Sequence, residues 1–109
     1  MSEIPITDLS TFLPVPEGKR ANQSLLDLAP DQTKVVMLAL DGGVEVPPHA
    51  VAYEAGVLLL GGAIEVLLDE TWHPLRPGQY LPVPRTVRHA VRALAPSHAL
   101  VIHARGLTA

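Results

Sequence analysis

Two histidines, His49 and His89, are the residues of this chain whose surroundings and spacing indicate chemistry. His49 follows Gly43 after a stretch that ends in two prolines, and His89 follows Gly78 after a stretch with two more. Each histidine is therefore expected on a strand beside a tight turn, and strands from two hairpins of a small barrel can direct both imidazoles to one interior point. Imidazole is the commonest metal ligand in proteins, so the pair predicts a pocket with a divalent metal as one occupant.

Three other side chains are candidates for a role beside this pair. Tyr53 has three interpretations: a third metal ligand, a hydroxyl that orients a substrate, or a half-buried residue whose hydroxyl is bonded to the backbone. As a ligand it would need a nearby metal or cation to ionise near neutral pH, because the unperturbed pKa of tyrosine is about 10. Glu54 is expected to point outward unless a bulge turns it. His103 lies on a strand with two apolar faces, so it either points inward as a replacement ligand or packs at an interface.

Strand alternation predicts which side chains line the pocket. On a strand over residues 50–60, alternate residues from His49 to Leu59 share one face, and on a strand over 87–94 His89 shares a face with Val91. Both rows are mostly apolar and are expected to face the interior. The predicted pocket residues are His49, Val51, Tyr53, Ala55, His89 and Val91.

Short apolar segments separated by glycine and proline indicate an all-β fold. The predicted strands cover residues 22–28, 34–40, 50–60, 63–68, 71–75, 80–83, 87–94 and 99–104. One short helical turn, capped by Thr7, is expected within a lead-in segment over residues 1–20. Turns are predicted at Asp41-Gly42-Gly43, at Gly61-Gly62 and at Arg76-Pro77-Gly78.

Composition limits the classes of function. A length of 109 residues indicates one domain, 1–109. Few aromatic residues (4%) and a net charge of -3 argue against a nucleic-acid partner. The chain has no cysteine and hence no thiolate ligand or disulfide. It shows no signal peptide and no apolar run long enough for a bilayer, so a cytoplasmic protein without a membrane partner is expected.

The charges divide unevenly along the chain. Residues 71–109 contain five arginines and no acid, whereas all 11 acidic residues lie before them. One interpretation is a basic rim that attracts anionic ligands. The other is that the two halves pair as neighbouring strands and neutralise each other.

The spacing of the glycines, prolines and histidines resembles that of a small single-domain cupin, a double-stranded β-helix or RmlC-like jelly-roll barrel. The family's first motif, G-x5-H-x-H-x3-4-E-x6-G, is matched by Gly43, His49 and Gly62. Its second motif, G-x5-P-x-G-x2-H-x3-N, is matched by Gly78, Pro84 and His89. The resemblance covers residues 33–104 and implies a barrel core over that range.

The departures from these motifs bear on function. Metal-binding cupins usually use three histidines and a glutamate, but Val51 and Ala55 occupy two of those positions. Thr86 replaces a motif glycine, and Ala93 replaces the asparagine. Iron, manganese, nickel or zinc bound by His49 and His89 alone would be held weakly, since such ions normally take at least three protein ligands.

Three functions remain open at this point. The first is a binding module that holds an apolar or weakly anionic metabolite, with weak or no metal. The second is a metal-dependent dioxygenase-like or isomerase-like enzyme that uses His49, His89 and a third ligand, Tyr53 or His103. The third is an interaction domain whose interior is simply filled.

The resemblance also implies homodimerisation. The segment 57–60 is apolar on both faces, which fits burial on both sides, and Trp72 is expected at a packing or dimer surface. His73 and His98 are expected to be exposed to solvent.

Overall fold

The computed structural model describes residues 4–106 and shows two packed antiparallel β-sheets. The strands are β1 (Arg20–Asp27), β2 (Lys34–Leu40), β3 (Glu45–His49), β4 (Glu54–Gly61), β5 (Ile64–Leu68), β6 (Thr71–Leu75), β7 (Tyr80–Val83), β8 (His89–Ala93) and β9 (Ser97–Ala104). One sheet has the order β1-β2-β9-β4-β7, and the other has the order β3-β8-β5-β6. The predicted all-β jelly-roll barrel is confirmed.

The core between the sheets is aliphatic because alternate residues of each strand point inward. On β2 the inward row includes Leu38 and Leu40, and on β4 it includes Val57 and Leu59. Leu40, Leu59 and Ala99 are almost fully buried at one end of the barrel. At the other end, where β2 begins and β9 ends, the inward positions carry polar side chains, and this end positions the candidate site.

The lead-in segment begins with a helical turn, α1 (Leu9–Phe12), whose cap differs from the expected one. Asp8, not Thr7, is the N-cap, and its carboxylate accepts a hydrogen bond of 3.0 Å from the Ser10 amide. Asp is a stronger N-cap than Thr, which explains the shift by one residue. Residues 1–3 of the predicted lead-in lie outside the described part of the chain. The described residues contain no helix with the length and apolar character that crossing a membrane requires.

The predicted strand over residues 50–60 is wrong at its start, because residues 50–53 are not part of a strand. β3 ends at His49 and β4 begins at Glu54, and these strands belong to different sheets. Residues 50–53 pass between the sheets, and the Val51 carbonyl accepts a hydrogen bond of 2.7 Å from the Thr86 amide. His49 and Ala55 are therefore not two members of one strand row.

Within the described residues, four hydrogen-bonded turns have a positive φ at their third residue, where type II turns favour glycine. Gly18 (φ 67°) holds that position in one turn, and Gly43 (φ 85°) and Gly78 (φ 88°) hold it in two turns that the sequence predicts. In the turn from Pro84 to Val87, the position is held by Thr86 with φ 65°. A β-branched residue is strained in this region, and this is where the cupin motif has glycine.

The strain at Thr86 is measurable with two substitutions that both remove the hydroxyl. Thr86→Gly is expected to be more stable than Thr86→Ala by up to about 1.5 kcal/mol, because glycine relieves a left-handed penalty of about 1–2 kcal/mol and costs about 0.5–1 kcal/mol in chain entropy. Urea unfolding of the two variants measures the difference. A Thr86→Gly variant that is less stable than Thr86→Ala would contradict the strain at this position.

Candidate functional site

His49 and His89 are directly opposite each other on paired strands. They are register partners of β3 and β8, and their ring centroids lie 4.3 Å apart with the planes tilted by 57°. His49 is exposed at the rim, whereas the side chain of His89 is buried, with 9% of the residue accessible. The two segments that the sequence singles out therefore meet at one point.

An extra residue in β3 allows this meeting. Val46 pairs with Val91 and His49 pairs with His89, so three steps along β3 match two steps along β8. Without the irregularity Val46 and His49 would face opposite sides; the bulge at Pro47-Pro48 places both toward the interior. Because β3 is an edge strand, two prolines without amide hydrogens are tolerated there.

The backbone fixes how each imidazole is presented. The Nδ1 of His49 lies 3.1 Å from the Pro47 carbonyl oxygen, and the Nδ1 of His89 lies 3.1 Å from that of Val87. A carbonyl only accepts, so both Nδ1 atoms carry the proton in the hydrogen bond. In each neutral ring the Nε2 then retains its lone pair for a ligand.

These histidines line a pocket of about 300 Å³ at this end of the barrel. Such a volume lies at the small end of the range for small-molecule sites. Most of the wall is aliphatic and comes from Val36, Leu38, Val46, Ala55, Val57, Val83, Val91 and Val101. The polar lining consists of Arg20, Asn22, Lys34, His49, His89 and His103.

The predicted pocket residues divide into two groups. Ala55 and Val91 line the pocket together with the two histidines. Val51 and Tyr53 lie in the segment between the sheets and are not part of the lining. Glu54 also lies outside the lining, where its carboxylate accepts a hydrogen bond of 3.2 Å from the Arg85 amide.

Tyr53 contacts a residue of the pocket lining, His103. The Tyr53 hydroxyl lies 3.1 Å from the Nδ1 of His103, and the two rings meet edge to face. His103 points into the pocket from β9, between its register partners Lys34 and Ala55. The Tyr53 hydroxyl thus orients the imidazole of His103. This contact differs from both the ligand role and the backbone hydrogen bond that the sequence suggests for Tyr53.

Burial makes the interior histidines resist protonation. Desolvation lowers the pKa of His89 below its ordinary value of 6.5; the Val87 carbonyl opposes this shift and the nearby His49 adds to it. Desolvation also lowers the pKa of His103, and the positive charges of Lys34 and Arg105 contribute. Both rings are therefore predominantly neutral at pH 7.

Sequence reasoning missed three polar lining residues, Arg20, Asn22 and Lys34. Arg20 and Asn22 alternate on the inner face of edge strand β1, and the polar character of that strand was typical of a solvent face. A signal for Lys34 did exist, because it shares the alternating row of Val36, Leu38 and Leu40 on β2.

Three of the five C-terminal arginines form ion pairs with acids from the first part of the chain. Arg92 binds Glu65 at 2.8 Å, Arg105 binds Asp27 at 3.0 Å, and Arg85 lies 3.5 Å from Glu54. For these three arginines, the structure agrees with the interpretation that charges from the two parts of the chain neutralise each other.

Other predicted surface residues have partners within the chain. Trp72 lies beneath the Arg92 guanidinium, 3.8 Å from the ring centroid. The expectation of an exposed His98 is wrong, since its Nε2 donates to the Leu13 carbonyl at 2.7 Å and anchors the lead-in segment. His73 is likewise only partly exposed.

The donor set fits a tightly bound metal poorly. The Nε2 atoms of His49 and His89 are suitable donors, but residues 4–106 contain no group of three or more His, Asp or Glu side chains arranged to hold one ion. His103 uses its Nδ1 for Tyr53 and does not join such a group. A tightly bound zinc ion normally has at least three protein ligands, and the two imidazoles supply only two of them.

A second hollow lies at the turn between β5 and β6. Its volume is about 470 Å³, and Asp69, Glu70, Thr71 and Arg88 line it. This hollow is a polar surface groove without an aliphatic wall. The smaller barrel pocket has the convergent polar groups and apolar wall of a ligand site.

The cupin-domain family model matches residues 35–104. The chain therefore belongs to the cupin family, as its fold and motif spacing indicate. No curated protein sequence matches the chain.

Solved structures with the same fold extend over nearly the whole chain. A conserved protein of unknown function from Streptococcus pyogenes superposes with a TM-score of 0.85 at 20% identity, covering 96% of this chain and 90% of its own. A cupin superfamily protein from Desulfitobacterium hafniense gives 0.84 at 20% identity, covering 95% and 93%. KdgF from a Halomonas species gives 0.74 at 22% identity, covering 85% and 84%. These TM-scores establish a shared fold.

The lowered pKa values of His89 and His103 predict a loss of stability in acid. As the pH falls below about 6.5, the unfolded chain binds protons before the folded chain does, so the free energy of unfolding decreases until the folded pKa values are reached. NMR titration of the two rings should give midpoints below those of the urea-unfolded chain, and urea unfolding should show the acid-side decrease. Midpoints at or above those of the unfolded chain would contradict the burial argument.

Proposed function

We propose that this cupin-domain protein binds a small molecule in the barrel pocket and does so with weak or no metal. The observation that carries the proposal is the pairing of His49 and His89 within an otherwise largely aliphatic wall. Apolar walls supply affinity, and a few directed polar groups fix the orientation of a ligand.

The histidines give the pocket its directional chemistry. With both Nδ1–H groups donated to backbone carbonyls, the two Nε2 lone pairs are free to accept hydrogen bonds from a hydroxyl or amine of the ligand. The bulge and the Val87 carbonyl hold the rings in place, so little side-chain entropy is lost on binding.

The metal-dependent enzyme is the alternative, and it requires a third donor. Neither Val51 nor Ala55 has a side-chain lone pair to offer, and the remaining imidazole of the lining, His103, is hydrogen-bonded to Tyr53. A divalent ion held by His49 and His89 alone would also meet the positive charges of Arg20 and Lys34 in the same lining. These features support binding without a resident metal.

A fragment screen followed by NMR tests the proposal. Fragments that carry a hydroxyl or amine are expected to shift the methyl signals of pocket valines such as Val57 and Val101. His49→Ala and His89→Ala should each weaken those fragments about fivefold, which corresponds to one hydrogen bond of about 1 kcal/mol. His73→Ala is the matched control, since His73 lies outside the pocket lining.

Three results would count against the proposal. Fragments that shift only signals far from the pocket would place the binding site elsewhere. Equal affinity in the His49, His89 and His73 variants would remove the paired histidines from recognition. Stoichiometric metal that survives dialysis of the purified protein, and that is lost in the His49 and His89 variants, would favour the metal-dependent enzyme.

A further inference from the structure

The pocket lining contains positively charged side chains and no negatively charged ones. Its six polar residues include Arg20 and Lys34 together with one asparagine and three histidines, and none of the lining residues is acidic. The aliphatic remainder contributes no charge. The site therefore presents a positive potential to whatever enters it.

Arg20 keeps its charge largely uncompensated. It projects from β1 beside the edge strand of the other sheet, where its Nη1 donates to the Glu45 backbone carbonyl at 3.2 Å. Within residues 4–106, no carboxylate lies within ion-pair distance of Arg20. The carbonyl orients the guanidinium and leaves its other N–H groups available for an anion.

Lys34 is only partly neutralised. Its Nζ lies 3.9 Å from the Asp27 carboxylate, at the limit of an ion pair, and Arg105 binds that same carboxylate at 3.0 Å. One acid thus serves two cations, which leaves a net positive charge at this corner. The Lys34 side chain is 32% exposed, so its ammonium remains open to a ligand.

On the basis of the proposed function, we infer that the pocket selects a small carboxylate with an apolar body, with its carboxylate held by Arg20. A carboxylate matches the fork of a guanidinium. Lys34 lies six residues along β2 from Leu40, the register partner of Arg20, so it adds to the positive potential and does not share the carboxylate. The aliphatic wall, which includes Val36, Val57 and Val101, then receives the hydrocarbon part of the ligand. A neutral histidine with a free Nε2 would not attract the anion, which directs the carboxylate to Arg20.

Three probes that share one hydrocarbon chain isolate the charge. Hexanoate, hexanamide and hexylamine are titrated into the 109-residue protein, and binding is followed by the methyl signals of Val57 and Val101. Hexanoate is expected to bind about tenfold more tightly than hexanamide, as charge-assisted hydrogen bonds exceed neutral ones. Hexylamine should bind most weakly, and added salt should reduce the advantage of hexanoate.

Substitutions then test which residues cause the tighter binding of hexanoate relative to hexanamide. Arg20→Gln should weaken hexanoate about fivefold or more while leaving hexanamide almost unchanged. Lys34→Gln removes an equal charge farther from the carboxylate and should weaken hexanoate less. Arg76→Gln removes an equal charge outside the pocket lining and should change neither affinity. Because hexanamide reports on the same pocket, a variant that has lost its fold is recognised by the loss of both ligands.

The outcomes separate this inference from the proposed function. Equal binding of hexanamide and hexanoate at the pocket valines would overturn the selection for an anion and leave small-molecule binding intact. Inorganic phosphate that competes as well as hexanoate would overturn the role of the apolar body. Absence of any shift with all three probes would overturn the inference, and a silent fragment screen would overturn the proposed function as well.

Discussion

The site depends on one extra residue in an edge strand. Because side chains alternate along a strand, Val46 and His49 can face the same interior only if the backbone inserts an irregularity between them. The Pro47-Pro48 pair supplies it, and the Pro47 carbonyl then holds the Nδ1 of His49. One local distortion thus turns the imidazole of His49 toward the pocket rim, sets its distance from His89 and determines which nitrogen remains free.

The pocket lies where the inward side chains of the strands change from aliphatic to polar. Strand rows that are apolar and buried near Leu40 and Leu59 carry polar side chains at Lys34 and His103, which line the pocket. The same rows therefore close one end of the barrel and leave the other as a cavity. The usual third and fourth metal donors of a cupin are absent from their motif positions, and cationic side chains share the lining instead. The proposed organic anion matches a lining that has cations and no acid.

Much of the fold was predictable because its signals are local. Gly43 and Gly78 mark turns that need a positive φ, and the alternation of β2 gives its buried row directly. The meeting of His49 and His89 also follows from motif spacing. The interruption after His49 was not predictable in this way, because Val51 and Tyr53 continue an apolar alternation although the chain there leaves one sheet for the other.

The cationic part of the site was harder to predict for a different reason. The inner residues of β1 are polar because they border an open pocket, and a polar row on an edge strand is indistinguishable in sequence from a row that faces solvent. The Tyr53–His103 contact joins residues that are far apart in sequence, so only the pairing of β4 with β9 brings them together.

Backbone carbonyls hold the imidazoles of His49 and His89 side by side, with each Nδ1–H bonded and each Nε2 directed away from these bonds. Long-range proton–nitrogen NMR spectra of protein purified without chelator, combined with ring-to-ring NOEs, measure this directly. Protonated Nδ1 and unprotonated Nε2 on His49 and His89, together with NOEs between the two rings, are the expected result. Protonated Nε2 atoms, or rings without a mutual NOE, would contradict the arrangement.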